Sequence, residues 1–219
     1  MRLSILILAL LKIVLVWHGQ ALDLNRASAP LQTLTPAKRA YNGPLFYYWH
    51  CLELEHLGDL DKDFTNMSAY SAQEISTWVQ AIEQLDVDAN LLPFLLSYYF
   101  ATPHNSALTL ACVSALEDHC FKAIKQKWRF VVQATLIAKH YLQDQTLALH
   151  LANRLLQELE PKLQPLFIQA LPATLLTQQS PEAAVKIYQD ILANNSTLSL
   201  QELSFIKNRI KILKELLST

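Results

Sequence analysis

Residues 180–188 read SPEAAVKIY, and this stretch decides how the rest of the chain divides. The Ser180 hydroxyl can accept from the free backbone N–H groups of a first helical turn, and Pro181 suits the first helical position, where a missing N–H costs nothing. Beyond them, Ala184 stands one turn before Tyr188. Residues 147–152, LALHLA, repeat the pattern with Ala148 before Ala152, after a turn carrying Leu142 and Asp144. Ala111 before Ala115 repeats it again, so the three pairs follow one another at spacings of 37 and 36 residues. A small residue one turn before a second position lets two helices approach closely. Each pair therefore marks the second helix of an antiparallel hairpin.

Outward from these pairs, start and stop signals predict nine helical segments. Pro44 opens a first helix to about Leu57, where Gly58 stops it. Ser71 with Glu74 forms a capping box for a helix to about Gln84. Asp88 caps a third, ended by Pro103 after Ala101. Asn105 begins a fourth to Phe121, a fifth runs from Gln126 to Leu142, and Asp144 caps a sixth to Glu158. The seventh, Lys162 to Thr177, contains Pro165 and Pro172 and should bend near Leu171. Pro181 to Asn194 is the eighth. Ser199 with Glu202 makes a second capping box for the last, to Leu217, whose stripe of Leu203, Ile206, Ile210, Leu213 and Leu217 suits a cap on the open end of a stack or a filler of its groove. No β-branched alternation bounded by turns is present, so the expected class is all-α.

Composition agrees. Among 219 residues there are 43 leucines and three glycines, against roughly fifteen glycines at average usage. Gly19, Gly43 and Gly58 are scattered, which leaves no Gly-rich loop to cradle a phosphate or dinucleotide.

Residues 1–21 form a separate unit. Arg2 precedes an apolar run from Leu3 to Trp17 that is interrupted by Ser4 and Lys12. Fifteen helical residues reach roughly 22 Å, short of a hydrocarbon core of roughly 30 Å. Gly19 and Ala21 supply the small residues of a cleavage site after Ala21. The segment reads as a secretory signal, as an uncleaved N-terminal membrane anchor, or as a buried helix of the domain. Residues 22–43, with Pro30 and Pro36, read as a tether to a domain at 44–219. Removal of residues 1–21 leaves 16 basic against 19 acidic residues, which offers no clustered positive footprint for nucleic acid. Lys207, Arg209, Lys211 and Lys214 read as the solvated side of the last helix.

The unit at 180–188 resembles the second helix of a tetratricopeptide repeat, and the likeness extends over roughly residues 88–195. It implies an α-α superhelix of stacked hairpins acting as a binding scaffold, with first-helix residues lining a concave face. On this chain that face would hold Leu96, Phe100, Phe130, Gln133, Ile137, His140, Gln169 and Leu176, an apolar groove for a peptide unless the chain itself fills it. The basic and amide residues with which chaperone-binding members grip a terminal carboxylate are missing there. The family's first-helix glycine falls on Tyr99, Leu136 and Pro172, its tyrosine on Thr102, Lys139 and Leu175, Trp128 stands one turn early, and Pro161 approximates the closing proline. The repeats are degenerate and should splay.

Chemistry-bearing residues are sparse. His50, Cys51, Glu53, Glu55 and His56 share one helix, but only Cys51 with Glu55 and Glu53 with His56 have metal-pair spacing, so neither a metal nor a cofactor is expected. Asp118, His119 and Cys120 are adjacent and point apart, with His119 expected on the surface near a helix end. Trp128, between Lys127 and Arg129, reads as a core residue. Cys51, Cys112 and Cys120 read as small core residues, with a bridge from Cys51 as the other option; eight residues separate the latter two, about 12 Å of helix, too far to bridge. The expectation is a non-catalytic scaffold of the bacterial cell envelope, exported and periplasmic or membrane-tethered, with a protein or peptide partner. A secreted interaction protein, or an envelope enzyme with a site near His50, Glu53 and His56, are the alternatives.

Overall fold

A computed structural model describes residues 36–55, 71–194 and 198–218, with side chains from Gly43 onward. Among the described residues there is no strand, and the chain is all-α. Among the described residues ten α-helices follow in order: α1 (Pro36–Glu55), α2 (Ala72–Glu83), α3 (Leu91–Phe94), α4 (Ser106–Phe121), α5 (Ile124–His140), α6 (Gln145–Glu158), α7 (Leu166–Gln169), α8 (Leu171–Leu176), α9 (Pro181–Asn194) and α10 (Leu200–Leu217). A π-helical stretch, Leu95–Phe100, continues α3, and a 3-10 turn, Pro161–Leu163, precedes α7.

Several boundaries follow directly from side-chain chemistry. Ser71 and Glu74, like Ser199 and Glu202, close reciprocal capping boxes, and the Asn105 and Asp144 side chains accept from the N–H groups of Leu108 and Leu147. Pro165 and Pro172 break the expected seventh helix into α7 and α8 at Ala170. Besides α5, which begins at Ile124 and not at Gln126, two starts differ from expectation. α1 begins at Pro36 and carries Pro44 inside it, so the segment expected as a tether is helical from residue 36. Asp88 is not a cap; Asp86 Oδ1 accepts from the N–H groups of Asp88 and Ala89, which holds this loop as a turn and delays α3 to Leu91. Residues 1–35 and 56–70, which include the expected signal, Gly58 and the acidic loop, lie outside the described residues.

Hairpins stack in chain order. α3 and its π-helical continuation pair with α4, α5 with α6, and α8 with α9, while α4 also packs on α5, α6 on α8 and α9 on α10. α1 packs against α2 and α3, and α2 lies along α4. One core cluster runs from Tyr47 to Leu175, and a second, from Ala170 to Leu213, joins α8, α9 and α10. The last helix thus closes the stack, with Ile206 and Leu213 buried and Leu217 exposed.

At the other end, Gly43 lets α1 touch the backbone of the α2 terminus: a Cβ there would stand 2.6 Å from the Leu85 carbonyl oxygen. Tyr47 is fully buried, and its hydroxyl accepts from the Leu92 N–H at 2.6 Å, satisfying a first-turn donor of α3 that Asn90 leaves uncapped.

Candidate functional site

Three second helices, α2, α4 and α6, follow one another through the stack, and the surface on either side of α4 differs sharply. Between α2 and α4 lies an open groove of about 520 Å³. Its α4 side presents Ala107, Leu110, Ala111, Ser114, Ala115 and Asp118, and its α2 side Ser76, Val79, Gln80 and Glu83. Lys122 closes one end by giving two 3.0 Å hydrogen bonds to the Glu83 carboxylate. Small residues at 107, 111, 114 and 115 leave the room, while Ile75, Trp78 and Ile82 on α2 and Leu108 and Cys112 on α4 belong to one buried core cluster. On the far side of α4, Glu117 accepts from Arg154 at 2.7 Å and lies 2.9 Å from His150, and the Arg154 guanidinium covers the Phe121 ring at 3.9 Å.

Behind the closed end of the groove is a polar cluster with no exposure. His119 and Lys127 are both 0% exposed. The Lys127 ammonium donates to the Ala89 carbonyl at 2.8 Å and meets His119 Nε2 at 2.5 Å. Proline explains the first bond: residue 93 is Pro, so the Ala89 carbonyl four residues earlier has no helical N–H to accept from, and Lys127 supplies the donor. An ammonium only donates, so Nε2 must accept and the imidazole proton sits on Nδ1. Nδ1 is buried without a hydrogen-bond partner, 3.8 Å from Glu83 Oε2. Burial, with Lys127 and Lys122 close by, pushes the His119 pKa down to about 4 from 6.5. Burial also lowers that of Lys127, against the opposing pull of Cys120, Asp88, Asp86 and Glu83.

This overturns the surface placement of His119; at the α5 start Lys127 is fully buried, while Trp128 packs against the core from a partly buried position. The Trp128 ring also packs against Phe167, with Arg129 above it at 4.5 Å. The sequence carried a signal for both burials: Lys127 shares the helical stripe of Val131, Ala134 and Ala138, and His119 that of Leu108 and Cys112.

The eight residues expected to line a first-helix groove do not form one surface. Leu96, Phe100 and Ile137 are core residues, at 0%, 0% and 5% exposure. Phe130 is partly buried against that same core, and Leu176 against the second one. Gln133 is half-buried and His140 exposed, and Gln169 donates to the Gln164 carbonyl at 2.9 Å. The chain itself fills this face, while the open groove belongs to second helices.

Around His50 the side chains are committed to one another. Glu53 accepts from Trp49 at 2.5 Å and lies 2.7 Å from His50 Nδ1, and His50 stacks on Phe46. His56 lies outside the described residues, and among those described no three His, Cys, Asp or Glu side chains gather into a metal-binding group. Of the aromatic run at 46–49 only Tyr47 is fully buried, Tyr48 and Trp49 being exposed. Cys51, Cys112 and Cys120 are buried free thiols, each pushed up to about 12 by burial. No helix among the described residues is long and apolar enough to cross a membrane. The chain matches no family model, no curated protein and no solved structure.

Proposed function

We propose that the chain is a non-catalytic interaction scaffold, a degenerate tetratricopeptide-like α-α superhelix, that receives a helix or peptide of a partner protein in the groove between α2 and α4. The observation that carries this reading is the uncovered Ala111–Ala115 pair. Its counterparts Ala148 and Ala152 on α6, and Ala184 and Tyr188 on α9, are buried at 0–1% exposure by the chain's own helices. On α4 the same register positions floor an open groove instead. Leu110, 48% exposed, and Val79 supply apolar contact, and Asp118 and Gln80 supply a polar rim. The apolar N-terminal run, Leu3 to Trp17, supports placement of this scaffold in the bacterial cell envelope, exported to the periplasm or held at the membrane.

A photo-crosslinking residue at Leu110 in native membranes tests the groove. The expected result is a discrete adduct that disappears when Ala111→Trp fills the floor. An adduct indifferent to Ala111→Trp, or equal labelling from an exposed α9 position such as Gln189, would remove the reading. Intact mass of the membrane-associated chain, with or without residues 1–21, tests the placement.

A further inference from the structure

We infer that Glu83, His119 and Lys127 form an acid-sensitive latch that fixes the α2 wall of the groove and lets go when the His119 imidazole takes a second proton. As a control on partner binding this rests on the groove reading above; the latch itself does not.

The geometry supports it from every side of the imidazole. From α5, Lys127 Nζ faces Nε2 at 2.5 Å. From α2, the Glu83 carboxylate faces Nδ1 at 3.8 Å, and Lys122, at the end of α4, holds that carboxylate. The α2–α3 loop contributes the Ala89 carbonyl on Lys127, with Asp86 and Asp88 acting on the ammonium at longer range. Cys120, next to His119, is buried and, as a neutral thiol, adds no charge to the cluster. Neutral imidazole can accept the ammonium's proton at Nε2. Imidazolium cannot, and two cationic donors would face each other with only the Ala89 carbonyl, which Lys127 already occupies, to accept from both. The carboxylate that faces the imidazole itself is Glu83, which Lys122 already engages. Release therefore separates the three elements that meet here: the end of α2, the α2–α3 loop and the α4–α5 corner. The groove loses the wall that Glu83 and Gln80 provide. The depressed basicity of His119 is consistent with this, because a proton that binds weakly in the closed state and normally in the open one favours opening.

The three native thiols make the test possible without a partner, since all are buried and Cys120 sits at the latch. Full-length protein is treated with 4,4′-dithiodipyridine between pH 7.5 and 4, rates are normalised to glutathione, and the labelled cysteine is identified by mass spectrometry. Cys120 labelling should accelerate about tenfold per pH unit below roughly 6.5, with Cys51 and Cys112 still protected. Lys127→Gln should weaken the response by removing the facing cation, and Glu83→Gln should strengthen it by removing the nearby anion. His119→Gln should abolish it. Labelling of all three thiols together, a rate independent of pH, or an unchanged response in both Lys127→Gln and Glu83→Gln would overturn the latch. Loss of Leu110 crosslinking with an intact Cys120 response would instead remove only the groove reading.

Discussion

The two sides of α4 are built from the same kind of hairpin, yet one presents an open groove and the other is closed. Toward α6, long side chains span the gap: Glu117 joins Arg154 and His150, Arg154 reaches on to Glu158 at 2.7 Å, and Phe121 lies under the guanidinium. Toward α2, the groove is floored mainly by alanine and serine, and the ion pair of Glu83 with Lys122 sits at its end. Behind the open side lies buried charge, and behind the closed side an apolar core of Ala148, Leu151, Ala152 and Leu155. The contrast teaches that helical register alone does not decide whether a surface is free. Side-chain length at three or four positions does.

Acid should break the comparison most strongly. His119 titrates near 4 folded and near 6.5 unfolded, so between those values the unfolded chain binds the extra proton. Stability is then greatest above pH 6.5 and declines as pH falls toward 4, by roughly 3 kcal/mol in all. Urea titrations at pH 7 and pH 4.5 in the native chain and in His119→Gln measure it. The substitution should remove most of the difference, and an equal decline in both would place the acid sensitivity elsewhere.

Ala148→Leu against Ala111→Leu tests whether the shared register really has two environments. At the fully buried Ala148 the extra methylenes have no room and should cost about 1–3 kcal/mol. At Ala111 they enter the groove, and the change should stay within roughly 0.5 kcal/mol. Denaturant midpoints for the two variants give the answer, and equal costs would mean that the groove closes in solution.

Arg154→Ala should make the closed side resemble the open one. The guanidinium bridges Glu117 and Glu158 and covers Phe121, a geometry better than that of an isolated surface pair, so a loss of about 1 kcal/mol is expected. Raising the salt should shrink the difference between native and variant, because the ion-pair part is screened. A salt-independent loss would assign the effect to packing over Phe121 alone.

How far the sequence reveals this depends on the range of each interaction. Capping boxes at Ser71 and Ser199, the caps at Asn105 and Asp144, and the proline at 181 act within one turn, and the helices they start are where local chemistry places them. The misjudged starts, Pro36 and Leu91, depend on partners outside the local window: Gly43 packing on Leu85, and Tyr47 capping Leu92 across 45 residues. The site was less legible still. Lys127 stands on an apolar stripe, but its stable burial requires an orphan carbonyl at Ala89, 38 residues away and exposed by Pro93. Leu96 and Phe100, expected on a groove face, are buried within the π-helical stretch Leu95–Phe100, whose wider turns depart from the 3.6-residue register on which that face was drawn. There the Ser97 hydroxyl donates to the Pro93 carbonyl at 2.7 Å, the bond that accompanies the wider turn.

The smallest expected effect comes from the glycine shortage. Between α5 and α6 the chain turns through Gln143 at a φ of 57°, the left-handed region that glycine enters without a Cβ clash. The turn is held all the same: Asp144 N–H donates to the Ala138 carbonyl at 2.9 Å, and the Asp144 side chain then starts α6. Gln143→Gly should relieve about 1–2 kcal/mol of left-handed strain while adding about 0.5–1 kcal/mol of unfolded-state entropy. The net is a gain of roughly 0.5–1 kcal/mol, seen as a small rise in Tm. Because Gln143 lies beyond the C-terminal end of α5 and Lys127 near its start, the gain should leave Cys120 labelling unchanged. If Gln143→Gly also slows that labelling, the closed side and the latch are coupled through α5, and the two faces of α4 are not independent.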